Sequence, residues 1–146
     1  MHCKALIVNC MDPRLQGENL IKIAAAAGLN SGEYEVLDYP GPSLWVTDPH
    51  LSGDTESFWR IFDTVSLKLH KVSEAVIIGH SSCGGFALKG TSDDPQIERQ
   101  TIISSLQKAK AEFLSKYPSL TIKPAFVTIQ ADVTEGLPDI TVELVG

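Results

Sequence analysis

The chain has 146 residues, 43% hydrophobic and 21% charged, an ordinary balance for one domain able to close a full hydrophobic core and one that excludes extended disorder. A formal net charge of −6, with no basic run carrying interleaved aromatics, argues against a nucleic-acid partner. Nothing apolar reaches the length of a membrane span, no leader with a cleavage site opens the chain, and three cysteines are an odd number for a disulfide framework, so the expectation is a cytoplasmic protein with no membrane contact.

Residues 3–9 form an apolar run that fits a strand buried on both faces, ending in Asn9-Cys10-Met11-Asp12-Pro13-Arg14. From Gly17 to Gly28, Leu20, Ile23, Ala24 and Ala27 recur at helical spacing, with Gly28 as the stop signal. Tyr34 to Tyr39 reads as a shorter, more polar strand nearer an edge. Residues 40–54, with three prolines, two glycines, Trp45 and His50, read as a long irregular loop, and loops of that length serve as lids or binding walls. Asp54 or Thr55 caps the next helix, whose buried stripe is Phe58, Ile61, Phe62, Val65 and Leu69. A strand at 74–79 leads into Gly79-His80-Ser81-Ser82-Cys83-Gly84-Gly85. Asp93-Asp94-Pro95 starts a further helix, with Ile102, Leu106, Ala109 and Phe113 on one face and an end near Tyr117-Pro118. Strands at 125–130 and 140–145 complete the chain, which shows no repeat, low-complexity segment or interdomain linker and reads as one domain over 1–146.

Alternating strands and helices predict an α/β fold: an open, mostly parallel sheet of order 2-1-3-4 plus a final edge strand, with helices on both faces. In such sheets ligands bind beyond the carboxyl ends of strands where the order reverses, here between the first and third. Cys10 and His80 follow those two strands, so the topology predicts that they meet.

Two thiolates and an imidazole, from Cys10, His80 and Cys83, make a soft-to-borderline donor set that suits zinc, and three protein ligands leave a fourth position open. Asp12 could fill that position or hydrogen-bond a water held there. Arg14 can hold the Asp12 carboxylate through a bidentate pair that fixes its orientation and keeps it ionised. Pro13 pushes Asp12 towards extended backbone, and in an extended segment Cys10, Asp12 and Arg14 project to one side. Gly84 and Gly85 let the backbone come close to a metal, where an exposed amide such as that of Gly84 could donate to an anion.

Together, Cys10-Met11-Asp12-Pro13-Arg14 and His80-Ser81-Ser82-Cys83-Gly84 resemble the paired Cys-x-Asp-x-Arg and His-x-x-Cys signature of the β-class carbonic anhydrases. The resemblance implies Zn2+ held by Cys10, His80 and Cys83, and an Asp12–Arg14 catalytic dyad that orients the attacking hydroxide. It further implies reversible hydration of carbon dioxide to bicarbonate, and a homodimer or higher homo-oligomer. Hydrolysis of carbonyl sulfide or carbon disulfide, and a catalytically silent zinc-binding homologue, are the alternatives on this scaffold. Cys10 comes almost at once, so a divergent member without the family's N-terminal helical arm is expected, and Asp38-Tyr39-Pro40-Gly41-Pro42 replaces the Arg-Asn-Ala-Gly type of segment. Cys3 reads as core packing within the first strand and His2 and His70 as surface residues. Trp45 and His50 divide evenly between pocket lining and loop packing, with His50 a candidate proton shuttle.

Overall fold

The computed structural model describes residues 3–48, 52–91, 93–130 and 135–146. Five strands form one sheet: β1 (Ala5–Cys10), β2 (Tyr34–Tyr39), β3 (Glu74–His80), β4 (Thr121–Ile129) and β5 (Ile140–Leu144), in the order β2-β1-β3-β4-β5. The first four run parallel and β5 pairs antiparallel with β4 at the edge. The expected order and the reversal between β1 and β3 are both present. Every residue of β1 is buried, as is Ala75 to His80 in β3, which is why those runs are continuously apolar rather than alternating.

Helix α1 (Glu18–Ala26) links β1 to β2 and buries Ile23 and Ala24, and the left-handed Gly28, φ 79°, carries the chain away from it. Between β2 and β3 lie α2 (Pro42–Thr47) and α3 (Ser52–Ile61), the latter continuing without a break into a π-helical segment, Phe62–Leu69. After the four-residue α4 (Gly84–Ala87), α5 (Pro95–Lys116) crosses from β3 to β4. Its N-cap Asp94 accepts hydrogen bonds from the amides of Gln96 and Ile97, and its buried stripe is Ile102, Leu106, Ala109 and Phe113, with Ser105 beside them. Right-handed crossovers put α1 on one face and α2, α3 and α5 on the other, where α5 packs on α2, β3 and β4.

Four local expectations are corrected. Part of the 40–54 loop is helix α2, because Gly41 takes a left-handed turn (φ 62°) and Pro42 then occupies the first helical turn, where its missing N–H costs nothing. Helix α3 starts at Ser52, ahead of Asp54 and Thr55; Thr55 Oγ1 instead donates to the Trp45 carbonyl at 2.7 Å, tying α3 to α2. The stripe predicted through Leu69 fails because the π segment widens each turn: Phe58, Phe62 and Ser66 face the core, while Leu69 is 60% exposed. Strand β4 begins at Thr121 and accommodates Pro124, because its neighbour β5 pairs only from Ala125 onwards. In addition, β1 starts at Ala5, so the buried Cys3 precedes the strand, and His70 is half-buried against Glu35 rather than on the surface. His2 and His50 lie outside the described residues.

Gly79 in β3 sets the closeness of α5. A Cβ there would stand 2.5 Å from Ile102 Cγ2 and 3.1 Å from Leu106 Cδ1, both fully buried. Gly79→Ala should therefore destabilise the protein by about 1–3 kcal/mol, as overpacking of a closed core does. A urea denaturation midpoint equal to that of the native chain would show that the core yields there.

Candidate metal centre

Three segments converge beyond the carboxyl ends of β1 and β3. Cys10 is the last residue of β1, His80 the last of β3, and Cys83 the residue that opens α4. All three are buried, and their ligand atoms lie within 4.8 Å of one another. Asp12 is not part of that cluster. Its carboxylate is turned to Arg14, which donates from Nε to Oδ1 at 3.0 Å and from Nη2 to Oδ2 at 2.7 Å, while the Arg14 backbone amide donates to Oδ1 at 2.9 Å. Asp12 caps the single 3-10 turn Pro13–Leu15, and that turn brings the Arg14 head back onto it. Arg14 Nη2 also donates to the Ser82 carbonyl at 3.2 Å, joining the two motif loops.

The electrostatics follow from the contacts. The Cys10 thiol is lowered to about 4, chiefly because the Cys83 thiol donates to its sulfur, with His80 and the Gly41 amide adding to the effect against the cost of burial. Cys83 is raised in turn, since ionising it would set a second anion beside the Cys10 thiolate in a desolvated site. The Asp12 carboxyl lies below its ordinary value, first because of its hydrogen bonds from the Arg14 side chain.

His80 supplies the test of what this centre can hold. Its Nδ1 lies 2.7 Å from the Ser81 carbonyl, which only an Nδ1–H can satisfy, so in the neutral ring Nε2 is the nitrogen that offers a lone pair. That Nε2 is buried and has no hydrogen-bond partner. A bare imidazole nitrogen beside two sulfurs that repel each other when both ionised is a donor set fitted to a divalent cation such as zinc.

A cavity of about 540 Å³ adjoins the centre, lined by Cys10, Met11, Asp12, Pro13, Pro40, Gly84, Gly85 and Leu88. Its back wall depends on Gly85, where a Cβ would meet the Pro40 carbonyl carbon and the Gly41 nitrogen at 2.7 Å. No side chain is accommodated there, which explains one glycine of the pair, whereas a Cβ on Gly84 would meet nothing within 4 Å. Trp45 is not in this lining: its indole donates to the Pro40 carbonyl at 2.9 Å and packs on Tyr39 with ring centroids 5.1 Å apart.

Ser81 and Ser82 read from the sequence as residues that satisfy loop backbone groups, and Ile129 N–H does donate to Ser81 Oγ at 2.9 Å. Two supports were missed: Gln16 Nε2 donates to the Cys10 carbonyl at 3.0 Å, and Ser82 N–H donates to Glu98 Oε1 at 2.9 Å. Glu98 and Gln16 sit in polar stretches that mark nothing.

No protein-family model matches the chain, and no curated protein matches it either. Solved structures do. One is a tetrameric β-carbonic anhydrase from the filamentous ascomycete Sordaria macrospora, 13% identical, with a TM-score of 0.57 over 88% of this chain and 77% of the other. Another is the β-carbonic anhydrase CafA of Aspergillus fumigatus, 12% identical, with a TM-score of 0.56 over 88% of this chain and 72% of the other. The chain therefore has a β-carbonic anhydrase-like fold, with a Cys-His-Cys cluster able to hold a metal at the carboxyl edge of its sheet. No helix among the described residues is long and apolar enough to cross a membrane.

Because Arg14 holds the Asp12 proton affinity down, Arg14→Gln should move the Asp12 titration upward, towards the ordinary value of about 3.9. The sign for stability follows: the native pairing stabilises the fold above that value, and the contribution is lost as pH falls through the lower folded value. Carboxyl-carbon NMR titration of both proteins reads this directly, and coincident curves would remove the arginine as the cause.

Proposed function

We propose that the protein is a zinc-dependent lyase that catalyses the reversible hydration of carbon dioxide to bicarbonate and a proton. The observation that carries the reading is the buried Cys10–His80–Cys83 cluster with an unpartnered His80 Nε2, next to an Asp12 carboxylate already held away by Arg14. Cys10, His80 and Cys83 would hold the metal, and zinc at such a centre acts as a Lewis acid that brings the pKa of a water to about 7.

The chain's own residues divide the remaining work. Ionised Asp12 can only accept hydrogen bonds, so at the cavity wall it fixes the orientation of a nucleophilic water and leaves that water's lone pair free. Arg14 clamps both carboxylate oxygens and thereby keeps Asp12 out of the ligand cluster. His80 stays in one tautomer through the Ser81 carbonyl. Met11, Pro13, Pro40 and Leu88 give the cavity an apolar lining suited to a small, uncharged electrophile. The Gly84 amide is proposed to meet the bicarbonate product.

The active unit is proposed to be a homo-oligomer. Met11 and Leu88, 59% and 89% exposed at the cavity rim, are apolar surface that a second subunit would cover, and the Sordaria relative in fold is a tetramer. Zinc-thiolate ligation needs reduced cysteines, so the proposed location is the cytoplasm.

Stopped-flow carbon dioxide hydration on protein of measured zinc content tests the reading. Turnover should rise across about pH 6.5 to 9 as the nucleophile forms, and Asp12→Ala should lower it by about a hundredfold or more with zinc content unchanged. Zinc-loaded protein with no turnover across that range would overturn the carbon dioxide reading; carbonyl sulfide hydrolysis by the same sample would then identify the alternative substrate.

A further inference from the structure

A second cluster of metal-ligating side chains lies at the opposite end of the sheet. Cys3, Glu35 and His70 bring a sulfur, a carboxylate oxygen and an imidazole nitrogen within 4.8 Å of one another. Cys3 just precedes β1, Glu35 is the second residue of β2, and His70 ends the π-helical segment. Six residues of mostly extended chain lie between Cys3 and Cys10, a span of roughly 20 Å, so the two centres share no ligand.

The three donors are positioned by the backbone. The Cys3 amide donates to the His70 carbonyl at 2.9 Å, and the His70 amide donates to the Val65 carbonyl at 2.8 Å across the wide turn. Lys4 and Ala5 both donate to the Glu33 carbonyl, at 2.7 and 3.2 Å, and Leu6 pairs with Glu35 in the β1–β2 register. Lys71, immediately after His70, is left-handed at φ 58° without being glycine, so the chain turns away sharply once the imidazole is in place. None of these bonds uses the side chains themselves.

An ion pair alone leaves the cluster incomplete. His70 Nδ1 meets Glu35 Oε2, but Glu35 Oε1 is buried and has no hydrogen-bond partner, and the buried Cys3 sulfur stands beside them. A carboxylate oxygen enclosed without a donor carries a desolvation cost that the contact of its twin with His70 does not remove. One thiolate and one carboxylate together neutralise a divalent cation, and thiolate, imidazole and carboxylate are the three side-chain donors zinc accepts.

We infer that Cys3, Glu35 and His70 form a second zinc site, a structural clamp that fastens the segment entering β1 to β2 and to the end of the π-helical segment. Such a site stabilises the fold in proportion to its occupancy, because the unfolded chain does not hold the three donors together.

The test is zinc stoichiometry and cobalt spectroscopy on the full chain, stripped with chelator and reloaded. The native protein should bind two zinc ions per chain, and both Cys10→Ser/Cys83→Ser and Cys3→Ser/His70→Gln should bind one. In Cys10→Ser/Cys83→Ser the sole remaining thiol is Cys3, so bound Co2+ should give a near-ultraviolet thiolate charge-transfer band, and zinc should raise the melting temperature. One zinc per native chain, or cobalt bound to that variant without the band, would reduce the cluster to an ion pair beside an inert thiol. Should Cys10→Ser/Cys83→Ser fail to fold, the stoichiometry of Cys3→Ser/His70→Gln against the native chain still decides: a fall from two to one supports the clamp, and an unchanged value overturns it.

Discussion

The parallel pairing of β1 with β3 is the constraint on which the rest depends. It aligns Leu6 with Ala75 and Val8 with Ile77, and the two chains then run on together to Cys10 and His80. A slip of one residue would turn the alternate side chains of a buried strand to the other face and carry Cys10 away from His80. The register is secured by burial on both sides: α5 comes down on Gly79 so closely that a methyl group has no room, and every residue of β1 is enclosed. The core is thus what positions the ligand cluster. Parallel strands need long crossovers, and the one between β2 and β3 also delivers Pro40 and Gly41 to the wall that Gly85 closes.

Charge sets the second constraint. The carboxyl edge of β1 gathers a thiolate, a second sulfur that burial and its neighbour keep protonated, and a carboxylate. Arg14 removes the carboxylate from the competition by pairing with both of its oxygens, and it holds the two motif loops together through Ser82. What remains is a negative, desolvated pocket with one bare imidazole nitrogen, whose electrostatic complement is a cation. Arginine suits this position better than lysine because its planar fork can hold Asp12 bidentately and still reach the Ser82 carbonyl.

Much of this was legible in the sequence, for physical reasons. Doubly buried strands leave apolar runs, so the runs at 3–9 and 74–79 announce themselves, and the rule that ligands gather where strand order reverses then pairs Cys10 with His80. What escaped is where one element overrides its own periodicity. Helix α2 hides behind Pro40, Gly41 and Pro42, read as loop punctuation, because only the backbone turn at Gly41 converts Pro42 into a helix start. The π segment moves Ser66 inward and Leu69 outward against the 3.6-residue rhythm. The strand expected from Ala125 reaches back to Thr121, and Pro124 is tolerated within it because β5 starts pairing one residue later. Cys3 and His70 read as core filler and surface residue, since their meeting depends on a sharp turn at Lys71 that no local pattern records.

Parallel pairing of β1 with β3 brings Cys10, His80 and Cys83 together as the proposed zinc centre, with Asp12 held outside it. Anomalous diffraction at the zinc edge, from crystals of the zinc-loaded protein, tests it most directly. The expected result is an anomalous peak bonded to both sulfurs and to His80 Nε2, with the Asp12 carboxylate still on Arg14. A peak absent from that position, or one in which Asp12 has left Arg14 to become a ligand in every subunit, would contradict it.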